Sequence, residues 1–230
     1  MQPEIRVLSQ PAERPAQANK VLRNTYWLLG LTMAPTVVGA SIGVHLNLLP
    51  FMAQSPILSI ILPLAVMFGL FWGISANRNN GLGVALLLAL TFFMGLMLGP
   101  ILQVALSLKN GGQLIGLAAG GTGVIFFSLA GLATFSKRDF SFMGKFLFIG
   151  LILLVLASLA NLFFQIPVLA LALSAIGVLI FSGFILVDVS RIVHGGETNY
   201  VMATLSIYLD IYNLFINLLN ILMAVAGQRN

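Results

Sequence analysis

The chain has 230 residues, of which 59% are hydrophobic and only 7% are charged, a balance that excludes an ordinary soluble domain and is typical of a polytopic membrane protein. The absence of cysteine excludes disulfides, thiolate metal sites and cysteine catalysis. The net charge of +5 does not indicate nucleic-acid binding, because the basic residues stand in short segments between apolar runs.

The chain begins with a polar segment, MQPEIRVLSQPAERPAQANK, which is rich in Pro, Ala and Gln. Such a segment cannot bury enough apolar surface to offset the entropy of folding. The composition therefore predicts a disordered cytoplasmic tail over residues 1–19. Residues 20–230 are expected to form a single transmembrane domain.

Seven apolar runs follow, each close to the roughly 20 residues that a membrane-spanning helix needs. They cover about residues 26–46, 57–76, 82–106, 114–135, 146–165, 167–187 and 205–226. The breaks between them are short, so neighbouring helices are expected to run antiparallel. The sequence thus predicts an all-α fold, a bundle of seven transmembrane helices. Whether the seventh run crosses fully or dips in and returns stays open at this point.

The basic residues divide unequally between the two sides of this bundle. If the N-terminus is cytoplasmic, nine of the Lys and Arg residues lie on the cytoplasmic side and two on the other, which is the orientation that the positive-inside rule favours. The nine are Arg6, Arg14, Lys20, Arg23, Arg78, Lys137, Arg138, Lys145 and Arg191, and the two are Lys109 and Arg229.

Each of the first four runs contains two glycines spaced four residues apart, which places both on one face of a helix. Small residues in this spacing let helix backbones approach closely in a membrane, so the pairs predict a close-packed bundle. The pairs are Gly39 and Gly43, Gly69 and Gly73, Gly95 and Gly99, and Gly116 and Gly120.

Two aspartates stand apart from the other acidic residues, because Asp188 ends the sixth run and Asp210 lies inside the seventh. A carboxylate at membrane depth costs a few kcal/mol, which makes it a functional candidate by default. Asn199 is equidistant in sequence from the two, so a hairpin centred there would place both carboxylates at similar depth. Two carboxylates in one poorly hydrated site cannot both ionise cheaply, so the pair is expected to hold a shared proton and to sense pH.

Other interpretations of the acids remain open. Carboxylate oxygens are the hard ligands that calcium prefers, so Asp188 and Asp210 are also a candidate calcium site. In the structural alternative, Asp188 pairs with Arg191, one helical turn away.

The seventh run carries a polar stripe. Its members fall within about 80° of arc on a helix, and they are Ser206, Asp210, Asn213, Asn217 and Asn220. Lipid would not solvate this face, so the seventh helix is expected to be central, with the stripe as a polar path or as hydrogen-bonding contacts between helices.

Several segments resemble the Bax inhibitor family of small polytopic membrane proteins. The family signature G-x-x-L-G-P-x-L is matched in the third run by Gly95, Leu98, Gly99, Pro100, Ile101 and Leu102. Further on, Thr122 and Phe126 match the signature, whereas Gly123 replaces the usual Ala. The segments KVLRNTYWLLGLT (20–32) and IVHGGETNYVMATLSIYLDIYNLF (192–215) are similar to the bacterial branch that includes the modulator of the FtsH membrane protease.

The resemblance implies a seven-helix bundle with a central last helix and a cytoplasmic N-terminus, in the bacterial inner membrane. In the calcium-leak branch of the family, an aspartate pair on spans six and seven acts as the pH sensor, and the matching positions here are Asp188 and Asp210. The leak proteins also carry an arginine in span two, but residues 57–76 contain neither Arg nor Lys. Arg191 is the possible substitute as a salt-bridge partner.

Three functions follow. The resemblance favours a non-enzymatic modulator of an FtsH-type membrane AAA protease, with the N-terminal tail as a possible handle. The acid pair favours a pH-sensitive calcium leak, with no cofactor apart from calcium as the transported ion. An intramembrane aspartyl protease is a remote alternative, because the contexts ILVDVS and IYLDIY lack the Gly-x-Gly-Asp motif typical of such enzymes.

Overall fold

A computed structural model describes residues 13–46, 54–136 and 138–227 of the chain. Within these ranges it contains no β-strand and seven α-helices that are long and apolar enough to cross a membrane. The predicted all-α bundle of seven spans is therefore confirmed. The helices are α1 (Glu13–His45), α2 (Pro56–Ala76), α3 (Gly81–Leu106), α4 (Gly111–Phe135), α5 (Gly144–Phe164), α6 (Pro167–Val193) and α7 (Tyr200–Gly227), and a short 3₁₀ helix (Ser141–Met143) precedes α5.

Two helices are longer than the apolar runs that predicted them. Helix α1 begins at Glu13, so residues 13–19 are helical rather than disordered. This stretch is rich in Ala, Glu, Arg and Gln, which favour helix, and Pro15 falls in the first turn, where proline is tolerated. Helix α6 continues to Val193 and so includes its polar last turns.

Part of the sequence argument falls outside the described residues. This applies to residues 1–12 of the expected tail, whose disorder stays a prediction. It also applies to Arg6, Lys137 and Arg229, which contributed to the predicted orientation.

Helix α7 is the centre of the bundle, since it packs against α1, α2, α3, α4 and α6. It starts beside the loop between α2 and α3 and ends beside the turn between α3 and α4. Because α3 itself crosses the bundle between those two loops, α7 crosses it fully. We call the end formed by residues 77–80, 136–143 and 194–199 the basic end, and the end formed by residues 107–110 and 165–166 the opposite end.

Helices α1 and α3 are in backbone contact through their glycines. A Cβ atom built on Gly39 or Gly43 would overlap the backbone of α3 at Phe92 or Leu96, and one on Gly99 would overlap Gly43 itself. The predicted close approach of helices is correct for this pair.

The same prediction is wrong for the glycine pairs of α2 and α4. A Cβ on Gly69, Gly116 or Gly120 would have nothing within 4 Å, and one on Gly73 would meet only the flexible side chain of Leu86 at 3.2 Å. Four-residue spacing establishes that two glycines share a helix face, but it does not tell which face meets another helix.

Asn199 fixes the start of α7 and joins two loops at the basic end. Its Oδ1 accepts hydrogen bonds from the N–H groups of Val201 and Met202, both at 3.0 Å, as an N-cap residue does. Its Nδ2 donates to the carbonyl oxygen of Arg78 at 3.0 Å and to Oδ1 of Asn79 at 2.8 Å. The α6–α7 and α2–α3 loops are therefore held together beside the first turn of the central helix.

Candidate functional site

Asp188 lies near the end of α6, and its side chain is only 14% exposed. Nη1 of Arg191, one turn further on, is 3.7 Å from Asp188 Oδ1. This distance is longer than a hydrogen bond, so the contact is electrostatic. The arginine itself is 47% exposed, and it therefore holds the carboxylate from the solvent side.

Asp210 lies in the third turn of α7 and is only 7% exposed. Its Oδ2 atom is fully enclosed and has no hydrogen-bond partner within the described residues. An enclosed carboxylate oxygen without a donor is costly, since it has lost its hydration without replacement. Asp210 is thus the least satisfied acid that the structure describes, which marks it as a candidate for function.

The structure brings the two carboxylates together on facing helices. They are close enough to interact electrostatically. A cavity of about 10 Å³ lies against Asp188, Arg191, Glu197, Ala203 and Ser206, and Ser206 precedes Asp210 by one turn of α7. This volume is about what one water molecule needs. The hairpin geometry inferred from the sequence is therefore present, while pH sensing by the pair stays a prediction.

The asparagines of the polar stripe are largely engaged within the bundle. Asn213 Nδ2 donates to the Leu209 carbonyl oxygen, and Asn217 Nδ2 donates to the Asn213 carbonyl oxygen, each at 2.8 Å. The Asn217 side chain also fills the space over Gly177 of α6, where a Cβ atom would overlap it. The stripe is closed at this level, so conduction along Ser206, Asn213, Asn217 and Asn220 stays a prediction.

A second set of polar contacts was missed by the sequence argument. The Tyr208 hydroxyl shares a hydrogen bond with the Thr36 hydroxyl at 2.9 Å and lies 3.3 Å from the Thr91 carbonyl oxygen, to which it donates. The Tyr212 hydroxyl donates to the Met94 carbonyl oxygen at 3.1 Å. These bonds tie α7 to α1 and α3. The signal was the i, i+4 pair of tyrosines beside Asp210, whose hydroxyls need partners when buried.

A third cluster anchors the loop between α4 and α5 to α6. Ser190 Oγ donates to Asp139 Oδ1 at 3.2 Å and accepts from the Phe140 N–H at 2.9 Å. Hydrogen bonds from Ser141 lower the pKa of Asp139, with smaller contributions from Ser190 and from the nearby His194. Although Ser, His and Asp meet here, the serine is buried and gives its proton to the aspartate. The arrangement is an anchor rather than a nucleophile with its base.

The acid pair supplies only part of a calcium site. Over the ranges that the structure describes, no three His, Cys, Asp or Glu side chains form a cluster that could hold a metal. Calcium takes roughly six to eight oxygen ligands, more than Asp188 and Asp210 provide. Calcium binding at the pair stays a prediction, and it would require backbone carbonyls or water as additional ligands.

Comparison with known proteins gives a match over nearly the whole chain. The profile of the family described as inhibitor of apoptosis-promoting Bax1 matches residues 18–227. An Escherichia coli K12 protein named modulator of FtsH protease YccA is 41% identical over 219 residues, which are 94% of this chain and 96% of the relative. The same identity and coverage hold for a protein of E. coli O6:H1 named inner membrane protein YccA. An uncharacterized protein of Pseudomonas aeruginosa is 40% identical over 228 residues, 99% of this chain and 100% of the relative.

Proposed function

The chain belongs to the Bax inhibitor family, and from this premise we propose that it is a multi-pass inner-membrane protein that modulates an FtsH-type AAA protease. The observation that carries the proposal is the near full-length match to the E. coli relative that is named for this role. The name of the second E. coli relative supports the inner membrane as the location. The distribution of basic residues supports a cytoplasmic N-terminus, with the basic end of the bundle on the same side.

The packing of the bundle agrees better with a binding protein than with an open conduit. Asn217 closes the polar stripe against Gly177, and the two tyrosines of α7 are held by hydrogen bonds to α1 and α3. At the basic end, Asn199 and Ser190 fix the loops to the ends of helices. A partner on the cytoplasmic side would meet a preorganised surface, which lowers the entropy cost of association.

The test is degradation of a membrane substrate by an FtsH-type protease in proteoliposomes, with and without the full-length protein. We expect the protein to slow degradation of the membrane substrate. A variant that lacks residues 2–12 keeps α1 intact and should lose most of this effect if the tail is the handle. Equal degradation rates with and without the full-length protein would contradict the proposal.

A pH-sensitive calcium leak is the second candidate, and one specific observation favours it. Asp210 Oδ2 is enclosed without a partner, next to a second buried carboxylate on the facing helix. Ionisation of both acids would add repulsion between α6 and α7 and favour an open state, whereas a shared proton would hold the helices together.

Calcium flux into liposomes between about pH 6 and 8 tests this candidate. The flux should depend on pH in the wild type and be lost or flattened when Asp188→Asn and Asp210→Asn are combined. Asp139→Asn removes an exposed acid at the same end of the bundle and is the matched control. Flux no higher than that of empty liposomes at every pH would leave the pair a structural feature.

We infer that the protein is not an enzyme. The acid pair lacks the Gly-x-Gly-Asp motif, and the Ser190 cluster lacks an exposed nucleophile. Intramembrane peptidase activity that disappears in either Asp188→Asn or Asp210→Asn would overturn this inference.

A further inference from the structure

The largest cavity among those that the structure describes lies at the opposite end of the bundle, far from the acid pair. It sits between the first turns of α4 and the last turns of α7 and has a volume of about 540 Å³, within the usual range of ligand sites. Its lining is polar at the rim and apolar below. The residues that line it are Lys109, Asn110, Gln113, Leu114, Leu117, Leu222, Val225 and Ala226.

The polar rim carries one positive charge and several unused donors. Within the described residues, Lys109 is the only Lys, Arg, Asp or Glu at this end of the bundle. The side chains of Lys109, Asn110 and Gln113 have no hydrogen-bond partner within that part of the chain, and neither have the backbone N–H groups of Lys109 and Asn110. No acidic side chain lines the cavity. Its rim is therefore suited to an anion and offers no partner to a cationic group.

The position of the cavity relative to the bilayer is set by the helices around it. Helix α3 ends at Leu106 and α4 begins at Gly111, so the rim stands where apolar helix gives way to polar turn. Leu117 is 54% exposed and Val225 is 42% exposed, so the wall of the cavity opens toward the hydrocarbon region. A ligand held here would have its polar part at headgroup level and its apolar part among lipid chains.

We propose that this cavity binds an anionic phospholipid from the adjacent membrane leaflet. The phosphate group pairs with Lys109 and accepts hydrogen bonds from Asn110 and Gln113, and the first part of one acyl chain lies along Leu117, Leu222 and Val225. A free phosphate would leave this apolar wall unused. A zwitterionic lipid would bring an ammonium group to a rim that has no carboxylate to receive it.

The experiment measures retention of phosphatidylglycerol and of phosphatidylcholine by the full-length protein in mild detergent, by titration with fluorescent lipids. We expect tighter binding of phosphatidylglycerol. Lys109→Gln should weaken its binding about fivefold, the effect of one lysine near an anionic surface, and should remove the preference over phosphatidylcholine. Lys145→Gln, at an exposed lysine of the basic end, is the matched control and should change nothing.

A second variant separates the cavity from the surface charge. Ala226→Phe adds a side chain inside the cavity and leaves Lys109 in place, so it should abolish phosphatidylglycerol binding while the melting temperature stays close to that of the wild type. If this variant does not fold, displacement by glycerol phosphate replaces it, and we expect none at concentrations comparable to the lipid.

Three results would overturn the assignment. Equal weakening by Lys109→Gln and Lys145→Gln would show that lipid is attracted only by general surface charge. Displacement by glycerol phosphate or inorganic phosphate would show an anion site that does not use the acyl chain. Tighter lipid binding after removal of residues 228–230 would show that the cavity is occupied by the chain's own C-terminal residues.

Discussion

Replacing Gly99 with valine should force helices α1 and α3 apart and lower the stability of the bundle. A Cβ atom on Gly99 would lie 2.9 Å from the Cα atom of Gly43, and closer still to the carbonyl group of the same residue. Ordinary contacts of a Cβ begin at about 3.4 Å, so the helices would have to separate by at least 0.5 Å, which is 3.4 minus 2.9. The obstacle is backbone and cannot rotate away.

The expected cost follows from this rigidity. Overpacking of a well-packed interface typically costs about 1–3 kcal/mol, and a contact with backbone belongs at the upper end of that range. The separation would also stretch hydrogen bonds that cross the same interface, such as the one from Gln103 Nε2 to the Val44 carbonyl oxygen at 2.6 Å. We therefore expect Gly99→Val to lower the free energy of unfolding by about 3 kcal/mol.

The assay is unfolding by SDS in mixed micelles, followed by far-ultraviolet circular dichroism. Gly116→Val is the matched control, because it makes the same change on α4 at a glycine with nothing within 4 Å. The control should stay within about 0.5 kcal/mol of the wild type, as substitutions that meet no neighbour usually do. Equal losses in both variants, or no loss in Gly99→Val, would refute the conclusion that α1 and α3 are joined by glycine contact.

Three further predictions follow from the contacts of α7 and of the basic end. Gly177→Ala should destabilise the α6–α7 contact by about 1–2 kcal/mol, and adding Asn217→Ala should restore most of the loss, because the introduced methyl group overlaps only that side chain; a double-mutant cycle without coupling would contradict this. Tyr208→Phe should cost about 1–2 kcal/mol in the same SDS assay through its lost bonds to α1 and α3, whereas Tyr200→Phe, whose hydroxyl has no hydrogen-bond partner within the described residues, should be neutral; equal effects would count against the network. Because the folded-state pKa of Asp139 is lowered from 3.8, its hydrogen bonds to the loop should persist as pH falls and be lost only below about 3.8, so a spin label on a cysteine introduced at position 138 should gain mobility only there, and a gain between pH 7 and 5 would show that another group controls the loop.

The sequence predicted the features that the bilayer itself dictates. The thickness of the hydrocarbon region sets the length of each apolar run, so the number and approximate limits of the helices could be read directly. The central position of α7 also followed, since a face that carries Asp210 and three asparagines has no favourable place against lipid. Both conclusions depend on the chain and its solvent alone, without knowledge of which helices are neighbours.

The features that were missed depend on which faces meet. Gly95 and Gly116 each belong to a four-residue glycine pair, yet only the first contacts another backbone. Tyr208 was counted as apolar, although its hydroxyl joins three helices. The anchor from Ser190 to Asp139 links positions 51 residues apart that no local pattern connects. Such contacts are fixed by the three-dimensional neighbours of a residue, which one sequence does not specify.

The two candidate functions make different demands on the contact between α6 and α7. A leak requires these helices to part, whereas a modulator requires them only as a stable support for its surfaces. Parting must expose the space that Asn217 fills over Gly177, and repulsion between two ionised acids is the force at this contact that could drive it. Arg191, 3.7 Å from Asp188, offsets part of that repulsion and therefore favours the closed bundle. The described interface is thus balanced toward the closed state, the state in which a protease modulator would present its loops unchanged.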